Sequence, residues 1–297
     1  MRDLSGIKLA VLGGDRREVE AARLFILGGA ETRVIGLPQE PGLEKATRAE
    51  TLEEAVTGVE VVVGPVLGLD DEGYLHVLPG QPRLRLTREV IDRIPRGSLF
   101  FIGKGRPWLE DWCRQGGIRL VEFREMDDFA IMNSIPSAEG AIQMAMERLP
   151  ITIHGCQAFV LGLGRTGLTL ARTLAALGAR VTVVARKQAD LARAYEMGCR
   201  PVEFRHLGEF VGEAEVVFNT VPALVLQEPV LSRARKGAVI IDLASAPGGT
   251  DFEAARRLGL DAVLAPGLPG KVAPRTAGKI IADLVSRWIE KELPLSR

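Results

Sequence analysis

Short apolar runs alternate with amphipathic stretches along this chain. Runs at residues 8–12, 32–35, 59–63, 98–102 and 118–122 are bounded by polar or turn-forming residues, which predicts buried strands. Between them, residues 16–27, 51–56, 87–93 and 108–114 read as helices, the first ended by Gly28-Gly29. The second half repeats the alternation, with strands predicted at 158–161, 180–185, 215–219, 238–243 and 262–264 and a helix at 168–177. Such a pattern predicts an α/β protein: two doubly wound, Rossmann-like domains of parallel sheet with a crevice between them. Residues 67–86, punctuated by Gly, Asp and Pro around Tyr74 to Val77, are expected to form an excursion or hairpin at the carboxyl end of a strand.

The expected division is an N-terminal domain over 1–132, an interdomain helix over 133–149 and a nucleotide-binding domain over 150–275. Ser137 has the chemistry of an N-cap for the interdomain helix. The last helix, 277–291, sets Ala277, Ile281, Leu284 and Trp288 on one stripe, with Ile280, Val285 and Ile289 beside it. So wide a stripe needs a partner surface. That surface is either the first domain, which 276–297 would then complete, or a second copy in a homo-oligomer.

The strongest chemical signal follows the strand at 158–161. Gly162, Gly164 and Gly167 have G-x-G-x-x-G spacing between a strand and a helix. The first glycine serves the tight turn, the second leaves bare backbone for a pyrophosphate, and the third lets strand and helix approach. Free N–H groups at the helix start, around Arg165 and Thr166, favour phosphate. Arg165 either touches the pyrophosphate or faces solvent. The next strand ends Ala185-Arg186-Lys187. A carboxylate for the ribose 2′-OH is missing at Ala185, and Arg186 with Lys187 suits a 2′-phosphate. The expected cofactor is therefore NADP rather than NAD, unless Arg186 and Lys187 are ordinary loop cations. Asn219, Thr220 and Val221 close the following strand and are expected near the nicotinamide.

Loops at the carboxyl ends of the other strands are candidates for substrate. After 238–243, Ser245 and the amides of Gly248 and Gly249 suggest an anion nest, and Asp242 is either part of it or a cap. The loop 265–274, with Gly267, Pro269 and Lys271, faces the same expected crevice. In the first domain, Gly13-Gly14-Asp15-Arg16 is not a second dinucleotide motif. Asp15 is expected to cap the helix and Arg16 to hold a substrate carboxylate, while Arg16-Arg17 otherwise reads as a solvated helix face. Lys104 and Arg106 are either anion holders or surface residues. Asn133, Ser134 and Ser137 are interdomain candidates to hydrogen-bond a ligand, Asn133 and Ser137 as catalytic residues and Ser134 toward substrate, with Ser137 and its helix start suited to a carboxylate; Glu139 either joins them or completes a local cap. His154, just before the glycine-motif strand, is the one histidine weighed as catalytic, against a structural role; His76 and His206 are weaker. No Ser-His-Asp set, HExxH or paired catalytic carboxylates stand out.

Composition narrows the field. A chain of 297 residues with 46% hydrophobic content suits two packed domains. Thirty-eight basic and thirty-eight acidic residues cancel, which gives no electrostatic footprint for nucleic acid. Cys113, Cys156 and Cys199 lie far apart, which argues against a disulfide framework or metal site. The start Met1-Arg2-Asp3 lacks an apolar signal region, and no stretch is long enough to span a bilayer. A cytoplasmic protein with reduced thiols is expected.

The ordered motifs together resemble the dipicolinate synthase A-subunit family of endospore-forming bacteria. They are Ala10 to Asp15, Asn133-Ser-Ile-Pro136 with Glu139-Gly140, Ile153-His-Gly155, Val160 to Gly167, Asp242 to Ser245, Pro247 to Asp251, and Leu264 to Gly270. The resemblance implies a sporulation enzyme of the mother-cell cytoplasm. It implies oxidation of dihydrodipicolinate, a branch intermediate of lysine synthesis, to dipicolinate, with NADP as hydride acceptor and the flavoprotein-like B subunit of dipicolinate synthase as partner. Because the product gains aromaticity, a weak or solvent base would suffice. Two other readings are a stand-alone NADP-dependent dehydrogenase of a small hydroxy or amino acid, and a non-catalytic nucleotide-binding scaffold.

Overall fold

In the computed structural model, residues 2–293 are described. Met1 and residues 294–297, the end of the expected closing segment, lie outside them. The chain divides into two units, Met1–Ala130 with Pro269–Arg297, and Ile131–Leu268.

Unit 1 holds strands β1 (Lys8–Leu12), β2 (Glu31–Ile35), β3 (Thr47–Arg48), β4 (Val61–Val63), β5 (Leu99–Ile102) and β6 (Arg119–Glu122). Unit 2 holds β7 (Gln157–Leu161), β8 (Arg180–Ala185), β9 (Arg200–Glu203), β10 (Val216–Asn219), β11 (Val239–Asp242) and β12 (Asp261–Leu264). The sheet orders are β3-β2-β1-β4-β5-β6 and β12-β11-β10-β7-β8-β9. Counted within its own unit, each sheet has the doubly wound order 3-2-1-4-5-6. Every ladder is parallel. The chain reverses direction across each sheet between its first and fourth strands, so the ligand-binding edge lies past Leu12 and Val63 in unit 1 and past Leu161 and Asn219 in unit 2.

Period-2 alternation divides the central strands between two buried faces. Leu9 and Val11 join one core of unit 1, while Ala10 and Leu12 join the other. Val160 and Phe159 divide in the same way in unit 2. The helix Pro274–Glu292 belongs to unit 1, where Ile281, Leu284, Val285 and Ile289 pack with Val19, Ala22 and Phe25 of the helix Arg16–Leu27. Phe25 is fully buried, worth on the order of 2 kcal/mol in apolar area removed from water.

Two expectations changed. The helix expected to start at Ser137 is the last part of one helix, Asp127–Arg148, with Pro136 inside it. Ser137 is thus no N-cap: its hydroxyl donates to the Asn133 carbonyl at 2.8 Å, and no helix N-terminus exists there to attract a carboxylate. The edge strands β3 and β9 were not anticipated. The first is two exposed residues long, and the second contains Pro201, which only an edge position tolerates. The excursion at 67–86 is present, held by single bridges Leu69 to Leu75 and Tyr74 to Arg85, and Val77 bridges to Gly14.

Cys113, Cys156 and Cys199 are free and buried. Burial pushes the Cys113 thiol up to about 12. Burial, helped by the charge of Glu215, pushes Cys156 up to about 11. Among the described residues, no helix is long and apolar enough to cross a membrane.

Candidate functional site

The turn after β7 has the geometry its glycines suggest. Gly162 sits at φ +88°, open to glycine and strained for any other residue. A Cβ on Gly167 would fall 2.1 Å from the Gly162 carbonyl oxygen, so strand and helix pack directly through it. Gly164 is the reverse case: a Cβ there meets nothing within 4 Å, which leaves open space above bare backbone. The helix Arg165–Ala176 starts at this point, and its first ladder bond runs from Leu168 N to Gly164 O. The amides of Arg165, Thr166 and Gly167 precede that bond and carry the positive end of the helix dipole.

The end of β10 buttresses this turn. Thr220 donates its hydroxyl to the Leu161 carbonyl at 2.8 Å, and Val221 lies against Gly162. Asn219 is fully buried. Its amide N donates to Val221 O and Asp242 Oδ2, and its Oδ1 accepts Val221 N. Both amide hydrogens are therefore spent within the protein, and Asn219 shapes the wall rather than offering a donor to a ligand.

At the end of β8, buried Ala185 is followed by exposed Arg186 and Lys187. In register beside Ala185 stands Glu203 of β9, whose carboxylate pairs with Arg205 at 2.9 Å.

The remaining expected site residues separate by location. Ser134 Oγ donates to Ile131 O at 2.6 Å and meets Thr169 Oγ1 at 2.6 Å, which ties the long helix to the helix that opens at Gly164. Ser134 is 1% exposed and has no surface for substrate. Asn133 and Ser137, on the same stretch, keep partial exposure. His154 lies at the opposite end of β7 from the glycine turn, with its ring against Gly178. Five strand residues separate the two ends, roughly 15 Å. That distance removes the geometric basis for His154 as a catalytic group at the carboxyl edge.

Ser245 is exposed, but the nest proposed around it is already filled. Gly248 N donates to Ser245 O and Gly249 N to Asp242 Oδ2. Asp242 is thus neither a helix cap nor a ligand group but a buried acceptor at the end of β11. Gly267 keeps partial exposure, whereas Pro269 is buried. Pro269 falls in unit 1, where a Cβ on the next residue, Gly270, would come 2.4 Å from Asp15 Oδ1.

The first turn of unit 1 is built otherwise. Asp15 caps the helix Arg16–Leu27 in a capping box with Glu18. Arg16 turns outward to an ion pair with Glu40, and Arg17, expected on a solvated face, is 2% exposed. Its guanidinium forks onto Asp15, Nε to Oδ1 at 2.9 Å and Nη2 to Oδ2 at 2.7 Å, which draws it inward. Glu18 is wholly buried and accepts Asp15 N at 2.7 Å and Val66 N at 2.8 Å. Burial, reinforced by the Asp15 charge and opposed by Arg17, pushes the Glu18 carboxyl up to about 7. For Asp15, burial acts upward, but the hydrogen bonds and charge of Arg17 outweigh it and the net direction is down. The Asp-x-x-Glu spacing was the available signal for this cluster. Arg106, a candidate anion holder, is engaged by Asp71 at 2.7 Å, while Lys104 is exposed.

Residues 8–124 match the family model for the N-terminal domain of the dipicolinate synthase A subunit. The chain is 42% identical over 287 residues, 96% of its own length and 97% of its relative's, to the dipicolinate synthase A subunit of Bacillus subtilis (strain 168). It belongs to the dipicolinate synthase A-subunit family. Two solved structures of that family match it. The protein from Bacillus halodurans has a TM-score of 0.89 at 38% identity, covering 97% of this chain and 99% of the other. The corresponding structure from Bacillus subtilis has a TM-score of 0.85 at 40% identity, covering 97% of each. Residues 133–248 match the NAD-binding domain of D-isomer specific 2-hydroxyacid dehydrogenases, so the glycine turn lies in a domain of nicotinamide-dinucleotide type.

Proposed function

We propose that this chain is the nucleotide-binding component of a dipicolinate synthase, oxidising dihydrodipicolinate to dipicolinate with NADP and acting with the flavoprotein-like B subunit in the cytoplasm of the sporulating mother cell. The observation that carries this reading is the bare turn at Gly164 within a chain of this family: a Cβ there would meet nothing within 4 Å, and a helix starts at this point with its dipole suited to a diphosphate. A bound nicotinamide would supply the hydride acceptor for a ring carbon of the dihydro acid, with one proton leaving as the ring became aromatic. The protein's share is positioning. Gly162 to Gly167 hold the diphosphate, Thr220 and Val221 wall the turn, and Asn133 and Ser137 are proposed to contact the substrate from the neighbouring helix.

NADP is favoured over NAD by Ala185 at the end of β8 and by exposed Arg186 and Lys187 after it. The nearby Glu203 carboxylate is already occupied by Arg205. Replacing both cations (R186A with K187A) is expected to weaken NADP about 10- to 100-fold, the range of one or two lost charge-assisted contacts, and to leave NAD unchanged in calorimetry. Equal weakening of both nucleotides would overturn the 2′-phosphate assignment. The reaction itself is tested by following NADPH and dipicolinate absorbance on freshly generated dihydrodipicolinate, first with this chain by itself and then with its flavoprotein-like partner. Dipicolinate formation by the partner without this chain or NADP would refute the proposal.

A further inference from the structure

The buried carboxylate of Asp242 has no cation partner among the described residues; the four groups that donate to it are neutral. It accepts Asn219 Nδ2 at 3.0 Å, Ala244 N at 3.0 Å, Gly249 N at 2.8 Å and Thr250 Oγ1 at 2.6 Å. These donors come from two loops, one closing β10 and one closing β11. Gly249 lets the loops lie on each other, since a Cβ there would fall 2.5 Å from both Asn219 Nδ2 and Val221 O. Its carbonyl accepts Val225 N and Leu226 N. From Asn219 the connection runs on through Val221 N to the side chains that touch the glycine turn. Thr220 Oγ1 lies 2.8 Å, and Val221 Cγ2 2.9 Å, from where a Gly162 Cβ would be. A buried acceptor with several donors is costly to disturb, because each donor left without a partner keeps its desolvation cost.

We infer that Asp242 is a positioning residue for the diphosphate and nicotinamide half of the bound dinucleotide, acting through Asn219 on the Thr220-Val221 wall and through Gly249 and Thr250 on the loop after β11. The inference rests on the nucleotide reading above. It assigns a division of labour: the adenine end depends on the end of β8, and the other half depends on the Asp242 knot.

The test compares two probes, NADP and 2′,5′-ADP, by calorimetry on the full-length chain. The second probe keeps the adenine, the 2′-phosphate and the adenosine-side phosphate but lacks the second phosphate, its ribose and the nicotinamide. D242N, which turns a donor toward existing donors, is expected to weaken NADP at least tenfold and leave 2′,5′-ADP within twofold of wild type. T250V removes one donor at constant shape and keeps the test informative if D242N fails to fold; it is expected to weaken NADP several-fold, with T250S restoring it. Equal losses for both probes, or unchanged NADP affinity in the folded variants, would overturn the inference while leaving the nucleotide reading intact. A wild-type chain that binds neither probe overturns both.

Discussion

The first strand-to-helix turns of the two units start from the same topology and end with opposite surfaces. After β7 the N-cap is a glycine with no side-chain cap: a Cβ on Gly164 would meet nothing within 4 Å. After β1 the equivalent position is filled by the protein's own acids. Asp15 accepts the Arg17 amide, and Glu18 accepts the amides of Asp15 and Val66. A helix start attracts negative charge in either case. One unit leaves that attraction for a ligand, and the other satisfies it internally and balances it with buried Arg17. Sheet order alone therefore does not make a nucleotide site; the side chains of the first helical turn decide whether an anion from outside is needed.

The comparison breaks most readily in unit 1. R17M would strand Asp15 and Glu18 in the interior without their counter-charge, an expected loss of about 3–5 kcal/mol, readable as a lower urea midpoint. E18Q sharpens it through pH. Glu18 titrates at about 7 in the fold against an ordinary 4.5. Between those values the native state keeps a proton that the unfolded chain has released, so its contribution to stability falls as pH rises through that window. Relative to E18Q, the wild type should lose up to about 3 kcal/mol between pH 4.5 and 8, measured by denaturation at stepped pH. Parallel stability curves would show that Glu18 carries no such proton. In unit 2 the paired changes G167A and G164A separate fold from ligand. G167A forces a Cβ into the Gly162 carbonyl and is expected to cost about 1–3 kcal/mol of stability together with nucleotide binding. G164A has room in the protein, so stability should hold while the methyl group obstructs the diphosphate and NADP affinity falls about tenfold, near 1.4 kcal/mol.

How much was legible in the sequence follows from how local each feature is. The bounds of β1, β8 and the helix Arg16–Leu27 agree with periodicity because central parallel strands are continuous apolar runs and amphipathic helices repeat over several turns. The edge strands β3 and β9 carry no such run, since pairing with a neighbour rather than burial defines them. Ser137 read as a helix start, but the helix Asp127–Arg148 runs through it and through Pro136. The glycine turn was legible because spacing encodes it. The burial of Glu18 and Asp242 was not, because each takes a partner from a distant segment: Val66 onto Glu18, and Asn219 onto Asp242. His154 illustrates the opposite error, in which closeness along the chain to the glycine motif concealed a position at the other end of the strand.

The three buried thiols give the molecule a built-in gauge of its own opening. A sulfhydryl raised to about 12 or 11 is almost wholly protonated at neutral pH and inert to alkylating reagents while enclosed. Cys113 lies in one unit, and Cys156 with Cys199 in the other. Iodoacetamide uptake followed by peptide mass mapping would therefore clock the breathing of each half separately, with no label engineered into either.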